Sequence, residues 1–382
     1  MFKKVLSYVV IVSLLFAISG CGGVTALTAL STTGTAAATK YIEHKVGYGI
    51  QSPHTIIDRV MPSVVTIISE LKSVEINLPP AQRFTKPGEA IRPAPNNNAF
   101  QSGTGFVIDE DGTVITNYHV IANIIDKSNS KLRVLFSNDS IYEAKIFNYD
   151  KPSDIAVLKI INDENKSFPA ITWGDKPKLG GHAIIIGSPI GLDFSVSFGI
   201  VSAVDRIIPK ASPPFVPYVQ TDASMNRGNS GGPLFDASGE VIGINTLILT
   251  PSSGMDSGSV GLGFAVDGQY AQKIIKRLET GKKISWSYVG LHYRLLDMEE
   301  TKSNNLEFGS SVIVVEVVQD TPAFGNLYKN DIIMKMDGVI VTHKTFATMI
   351  ASKEPGTKVN LEVMREKQGI GNVEITLGVR PE

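Results

Sequence analysis

Asn226-Arg227-Gly228-Asn229-Ser230-Gly231-Gly232-Pro233 is the stretch on which the reading of this chain turns. A serine set among glycines makes a turn too tight for side chains, and such a turn aims one hydroxyl and two backbone N–H groups at the same point in space. Beyond it, Pro233-Leu234-Phe235 and Val241-Ile242-Gly243-Ile244 flank the polar run Asp236-Ala237-Ser238-Gly239-Glu240. Two short apolar runs around a polar turn predict a β-hairpin.

Gly228 to Gly232 also satisfies G-x-S-x-G, the nucleophile elbow, which requires a strand before the serine and a helix after it. Pro233 and Gly239 argue against that helix. Outward from the hairpin, short strands are predicted at Ser63 to Ser69, Gly105 to Asp109, Thr113 to Thr116, Lys131 to Phe136, Tyr142 to Asn148 and Ile155 to Ile161. A second set covers His182 to Gly187, Phe194 to Val204, Tyr218 to Gln220, Val241 to Leu247 and Gly261 to Val266. Many short strands with regular turns mean a mainly β protein, barrel or sandwich, and two sets suggest two barrels. A short helix near Ile56, stopped by Pro62, precedes them, and Ala271 to Leu278 closes them with Ile274, Ile275 and Leu278 at helical spacing. Leu71 to Gln101, with its prolines and three consecutive asparagines, reads as a long loop. Lys282 to Ser285 is a polar boundary, and the last ~100 residues have the length of one small domain. In it, strands are expected at Tyr288 to Leu291, Ser311 to Val318, Ile332 to Met336 and Val359 to Met364, with a helix near Phe346 to Ser352.

A serine nucleophile needs a base, and the chain has six histidines. His44 and His54 lie in or near a polar leader, and His292 and His343 lie in the last domain. His182 opens a strand after Gly180-Gly181, as an edge histidine does. His119 follows the strand ending Ile115-Thr116-Asn117, where a strand-to-turn junction aims a side chain into a cleft. A base of this kind is held in one tautomer by a buried acceptor. Asp154 is the candidate, because it starts the apolar run Ile155-Ala156-Val157-Leu158 that would carry its carboxylate inward between the barrels.

With His119, Asp154 and Ser230 in that order, residues ~55–382 resemble the HtrA (DegP/DegS-type) family of trypsin-like serine proteases. The resemblance rests on Ser102-Gly103-Thr104-Gly105-Phe106-Val107-Ile108, Thr116-Asn117-Tyr118-His119-Val120, Ser153-Asp154-Ile155-Ala156-Val157-Leu158, Ile186-Gly187-Ser188-Pro189-Ile190-Gly191-Leu192 and Gly228 to Pro233. It implies a chymotrypsin/trypsin-like double β-barrel over 55–281, followed by one α+β PDZ domain over 285–382. It also implies an endopeptidase acting on unfolded or regulatory proteins, no cofactor, no metal, and a homotrimer to which Tyr41 and Tyr48 could lend aromatic contacts. The N–H groups of Gly228 and Ser230 would hold the oxyanion. In the trypsin-like pattern the pocket floor is Ser224, with walls from Met225 and the strand Ile244-Asn245-Thr246-Leu247, suited to a small or medium aliphatic residue. Tyr288-Val289-Gly290-Leu291 resembles the loop that receives C-terminal peptides in such PDZ domains. Two departures stand out: Arg227 replaces the usual Pro before the oxyanion glycine, and Gly325-Asn326-Leu327-Tyr328-Lys329-Asn330-Asp331 departs from the family's Ala-Gly-Leu-x-x-Gly-Asp turn. An alternative from another class is a membrane-tethered PDZ binding module or chaperone with an idle barrel.

The rest of the chain bounds the setting. Its 382 residues leave room for two or three domains, and a formal net charge of −1 predicts no bulk affinity for nucleic acid. Met1 to Cys21 has the form of a lipoprotein signal peptide: Lys3 and Lys4, an apolar stretch from Val5 to Ala17, then Ile18-Ser19-Gly20-Cys21, which resembles a lipobox. Cys21 is the only cysteine, so an exported chain would spend its one thiol at the cleavage point, followed by a flexible tether over 22–54. The expected setting is the cell envelope, lipid-anchored to a membrane and facing outward from the cytoplasm, periplasmic in a Gram-negative cell.

Overall fold

A computed structural model describes residues 52–71, 100–188, 194–208, 213–248, 261–366 and 368–381; for Phe100, Leu247 and Ile248 it describes the backbone alone. Cys21, Tyr41, Tyr48, His44, most of the Leu71 to Gln101 loop and Pro189 to Leu192 lie outside the described residues. Ser52 onward belongs to one compact unit.

Helix α1 (Pro53–Val60) starts on a proline, whose fixed φ suits the first helical turn, and it buries Ile56 and Val60 one turn apart. Pro62 lies in the 3₁₀ turn that follows, Met61–Ser63. Strands β1 (Val64–Leu71), β2 (Phe100–Val107), β3 (Thr113–Thr116), a one-turn helix α2 (Tyr118–Ile121), β4 (Ser130–Phe136), β5 (Ile141–Asp150) and β6 (Ile155–Ile160) come next. These six strands close into a barrel in the order β1-β2-β3-β6-β5-β4. Then β7 (His182–Gly187), β8 (Ser195–Arg206), β9 (Tyr218–Thr221), β10 (Pro233–Phe235), β11 (Val241–Ile248) and β12 (Gly263–Asp267) close a second barrel, ordered β10-β11-β12-β9-β8-β7. The hairpin expected after the serine is β10 and β11, paired antiparallel. No helix follows Ser230, as Pro233 and Gly239 require.

Both faces of the central strands are buried, which is why they read as unbroken apolar runs rather than alternating ones. In β6, Ala156, Leu158 and Ile160 fill the first barrel while Ile155 and Val157 enter the layer between the barrels. In β7, Ala183 and Ile185 fill the second barrel while Ile184 and Ile186 enter that same layer. Each fully buried aliphatic side chain contributes about 1.5–3 kcal/mol, against ~0–1 kcal/mol for an exposed ion pair. Apolar burial therefore holds the barrels together, and the polar contacts between them position groups. Helix α3 (Gly268–Leu278), capped by the Asp267 carboxylate accepting from Tyr270 N at 2.9 Å, turns Ala271, Ile274, Ile275 and Leu278 into the inter-barrel layer.

The C-terminal region contains β13 (Ser287–Tyr288), β14 (Leu291–Arg294), α4 (Met298–Ser303), β15 (Val312–Val317), β16 (Ile332–Met336), β17 (Val339–Ile340), α5 (Phe346–Ala351), β18 (Lys358–Arg365), β19 (Gly369–Thr376) and β20 (Gly378–Val379). Its main sheet runs β14-β15-β16-β18-β19, so β14 is an edge. The single strand expected over Tyr288 to Leu291 is corrected: it is two strands, broken at Val289-Gly290, where Gly290 takes φ +87°. The boundary expected at Lys282 to Ser285 sits just ahead of Trp286, whose ring is buried in the inter-barrel layer. No helix among the described residues is long and apolar enough to cross a membrane.

Candidate active site

His119 sits in α2 rather than at a bare strand end, because Asn117 starts a single helical turn immediately after β3. Asn117 does not cap that turn with its side chain: its Nδ2 donates to the Asp154 carbonyl at 2.8 Å and to Thr246 Oγ1 at 3.2 Å. The backbone N–H of Tyr118 donates to the same Asp154 carbonyl at 3.1 Å. Asp154 is thereby fixed as the last residue of a turn before β6, with φ +56°, a conformation that short Asp side chains tolerate better than most. Its carboxylate accepts from His119 N at 2.9 Å through Oδ1 and faces His119 Nδ1 at 2.7 Å through Oδ2. A carboxylate only accepts, so Nδ1 carries the proton and Nε2 is left as the acceptor. The expected burial of this carboxylate between the barrels is corrected: the Asp154 side chain is 21% exposed, because the turn holds it at the rim of the layer.

The turn that carries Ser230 is built by barrel two and clamped by barrel one. Thr104, on β2, donates its N–H to the Ser230 carbonyl at 2.9 Å and its Oγ1 to the Gly228 carbonyl at 2.6 Å. The same Oγ1 accepts from Ser188 N at 3.0 Å. Within the turn, Asn229 N donates to Asn226 O and Gly231 N to Asn245 O, while Gly228 takes φ +97°. The N–H groups of Gly228 and Ser230 donate to no described residue. Gly187 is required below the turn, since a Cβ there would overlap Asn229. Ser230 Oγ donates to the Thr246 carbonyl at 3.5 Å, long for an O–H···O bond, and no hydrogen bond joins it to His119. Such looseness is common in unliganded sites, where a side-chain rotation completes the constellation.

The remaining predicted positions are less uniform. Ser224 is exposed, and its carbonyl accepts from Ser197 Oγ at 2.7 Å. Of the expected pocket walls, Met225 is buried with the interior of barrel two and Ile244 with the inter-barrel layer. Asn245 and Thr246 are buried and spend their side chains on Pro233 O and Ile244 O. Leu247 is described by its backbone alone. Tyr288 pairs with Gly378 and Leu291 with Val317, leaving Val289-Gly290 as the turn between them, pinned by Ala323 N on Val289 O and Val318 N on Gly290 O. Thr104 was legible inside a quoted block without any role attached. Asn117 likewise stood in a quoted block without a role, because its partners lie on two other segments.

The chain matches the family model of the trypsin-like peptidase domain over residues 103–244 and that of the PDZ domain over 287–377. It is 38% identical over 268 residues to a probable periplasmic serine endoprotease DegP-like of Pseudomonas fulva, covering 69% of this chain and 53% of that protein. A protein of the same name from Chlamydia muridarum is 34% identical over 291 residues, covering 74% and 55%. The chain thus spans about half the length of these curated relatives. Among solved structures, the HtrA-type protease AlgW with tripeptide superposes with a TM-score of 0.70 at 27% identity, covering 87% of this chain and 98% of that one. A serine endoprotease from Yersinia pestis gives 0.60 at 26%, covering 87% and 99%. Two closed barrels, a PDZ domain behind them and these relatives together make the chain a member of the HtrA-type family of trypsin-like serine proteases with one PDZ domain.

Proposed function

We propose that this chain is a serine endopeptidase of the cell envelope, in which His119 is the base, Asp154 its charge partner and Ser230 the nucleophile. The observation that carries the reading is the double hold of one carboxylate on His119, at its backbone N–H and at Nδ1, beside a glycine turn with two N–H groups that donate to no described residue. As Ser230 Oγ attacks a peptide carbonyl, Nε2 takes its proton and Asp154 stabilises the imidazolium. The Gly228 and Ser230 N–H groups then receive the oxyanion, and the proton on Nε2 passes to the leaving amine. Water repeats the sequence on the acyl-enzyme. Its substrates are unfolded or regulatory proteins, a class that goes beyond the relatives' names, which say only serine endoprotease. C-terminal peptides would add as a strand to the open edge β14, with their carboxylate at the Val289-Gly290 turn.

Ser230→Ala and His119→Ala each reduce hydrolysis of unfolded casein below about a thousandth of wild type, because triad members act as one unit. Retention of more than a few per cent in either folded variant overturns the assignment. The reading extends to Cys21 as a lipidated mature N-terminus and to a homotrimer. Cys21→Ser then moves the protein from the membrane to the soluble envelope fraction. An unmodified mature N-terminus elsewhere, seen by mass spectrometry, sinks the anchor, and a monomeric sedimentation profile of the Cys21→Ser chain with its tether retained sinks the trimer.

A further inference from the structure

The turn that presents Asp154 is organised by a second, buried aspartate. Asp150 ends β5 and is 4% exposed. Its Oδ2 accepts from Ser153 N at 2.8 Å, its backbone carbonyl faces Ser153 Oγ at 3.4 Å, and Asp154 N closes the turn on Lys151 O at 3.2 Å. These bonds span the four residues leading to the left-handed Asp154, so the direction of the Asp154 carboxylate depends on where Asp150 sits. Oδ1, the remaining oxygen of Asp150, accepts from Trp286 Nε1 at 2.9 Å.

Trp286 comes from far along the chain, one residue before the matched PDZ segment. It is 5% exposed, its ring lies 4.5 Å from that of Phe215, and the Arg277 guanidinium stands 5.5 Å from its centroid. Its backbone carbonyl accepts from Arg380 N at 2.8 Å, and the next residue, Ser287, donates Oγ to Lys353 O at 2.6 Å. The indole is thus braced from the C-terminal region while its N–H reaches the turn of the triad acid. Burial pushes the Asp150 carboxyl above its usual range, and the bonds from Ser153 and Trp286, with Arg277 nearby, oppose that push. A buried carboxylate is costly unless its oxygens are satisfied. Here the satisfying donors are the same groups that fix the turn.

We propose that Asp150 is a positioning residue for Asp154, and that the indole N–H of Trp286 is the group that keeps it in place. The proposal rests on the triad reading above, and its test separates the two. Steady-state hydrolysis of labelled unfolded casein is measured on the full chain for Trp286→Phe, Asp150→Asn and the double variant, with thermal melts as a check of folding. A second replacement, Trp286→3-benzothienylalanine, keeps the ring's size and removes only the N–H, so a packing defect in Trp286→Phe does not decide the matter. The expected result is a fall in kcat of roughly five- to a hundredfold with KM within twofold, since small misplacements of a catalytic group act on kcat. The double variant is no worse than the poorer single one, and the far-downfield proton resonance of His119 Nδ1–H shifts or broadens. Unchanged kcat in the folded benzothienyl variant, losses that multiply in the double variant, or an unmoved His119 resonance overturns the proposal. If Ser230→Ala and His119→Ala are inactive while these variants are not, only the positioning role fails. If those two remain active, the triad reading itself fails.

Discussion

Arg227 is exposed and stands immediately before Gly228, whose carbonyl is tied to Thr104 while its N–H donates to no described residue. Proline would fix its own φ and confine Asn226 to extended backbone; arginine lifts both limits on the peptide that carries the Gly228 N–H. If that peptide rotates, the oxyanion loses one of two donors, an effect of roughly 2.7–4 kcal/mol. Arg227→Pro is therefore expected to raise basal kcat on a short peptide and to shrink any activation by C-terminal peptides; a lower or unchanged basal rate in the folded variant counts against this. At this scale the pairing of His119 with Asp154 was legible, because each is a chemically specific residue beside a turn signal. Asp150 was not. An aspartate ending a strand looks like an ordinary turn residue, and the donor that gives it meaning is 136 positions away. The burial of Met225 and Ile244 was not legible for a related reason: position relative to Ser230 says nothing about which side of a closed barrel a side chain takes.

Elements with both faces buried were read within a residue or two, since β6, β7 and β16 announce themselves as apolar runs. The C-terminal region was read less completely. Helix α4 carries its own signal, Asp297 and Glu300 in a reciprocal capping box with Glu300 N on Asp297 Oδ1 at 2.8 Å and Asp297 N on Glu300 Oε2 at 2.9 Å. Strand β19 begins Gly369-Ile370-Gly371, and glycines there erase the alternation that marks a strand. The break between β13 and β14 was hidden by three strand-forming letters, Tyr288, Val289 and Leu291, around one glycine. Gly290 has φ +87°, and a Cβ would overlap the Thr321 side chain, whose Oγ1 donates to the Gly290 carbonyl at 3.2 Å. Gly290→Ala is expected to weaken binding of an apolar C-terminal peptide at least tenfold by titration calorimetry. Unaltered affinity would remove this turn from the peptide site.

At the scale of the molecule, composition placed the domain boundary at Lys282 to Ser285, but packing assigns Trp286 to the barrels. A chain cut after Lys283 loses the indole over Phe215 and the donor to Asp150, whereas one cut after Ser287 keeps both. The shorter chain is expected to hydrolyse casein several-fold more slowly than the longer one, and equal rates would show that Trp286 belongs functionally to the PDZ side. Two barrels and a trailing domain were foreseeable because strand count and turn spacing survive in sequence, while contacts across a boundary do not. Thr104 shows what that interleaving means for how such a chain can be divided. A single threonine in the first barrel holds the Gly228 and Ser230 carbonyls of the second, so a break in the 161–181 connection would part the Ser230 turn from its cradle. Recombination that shuffles one barrel against a foreign partner would have to carry this hydroxyl and its seat together. The barrels are in that sense a single unit of inheritance.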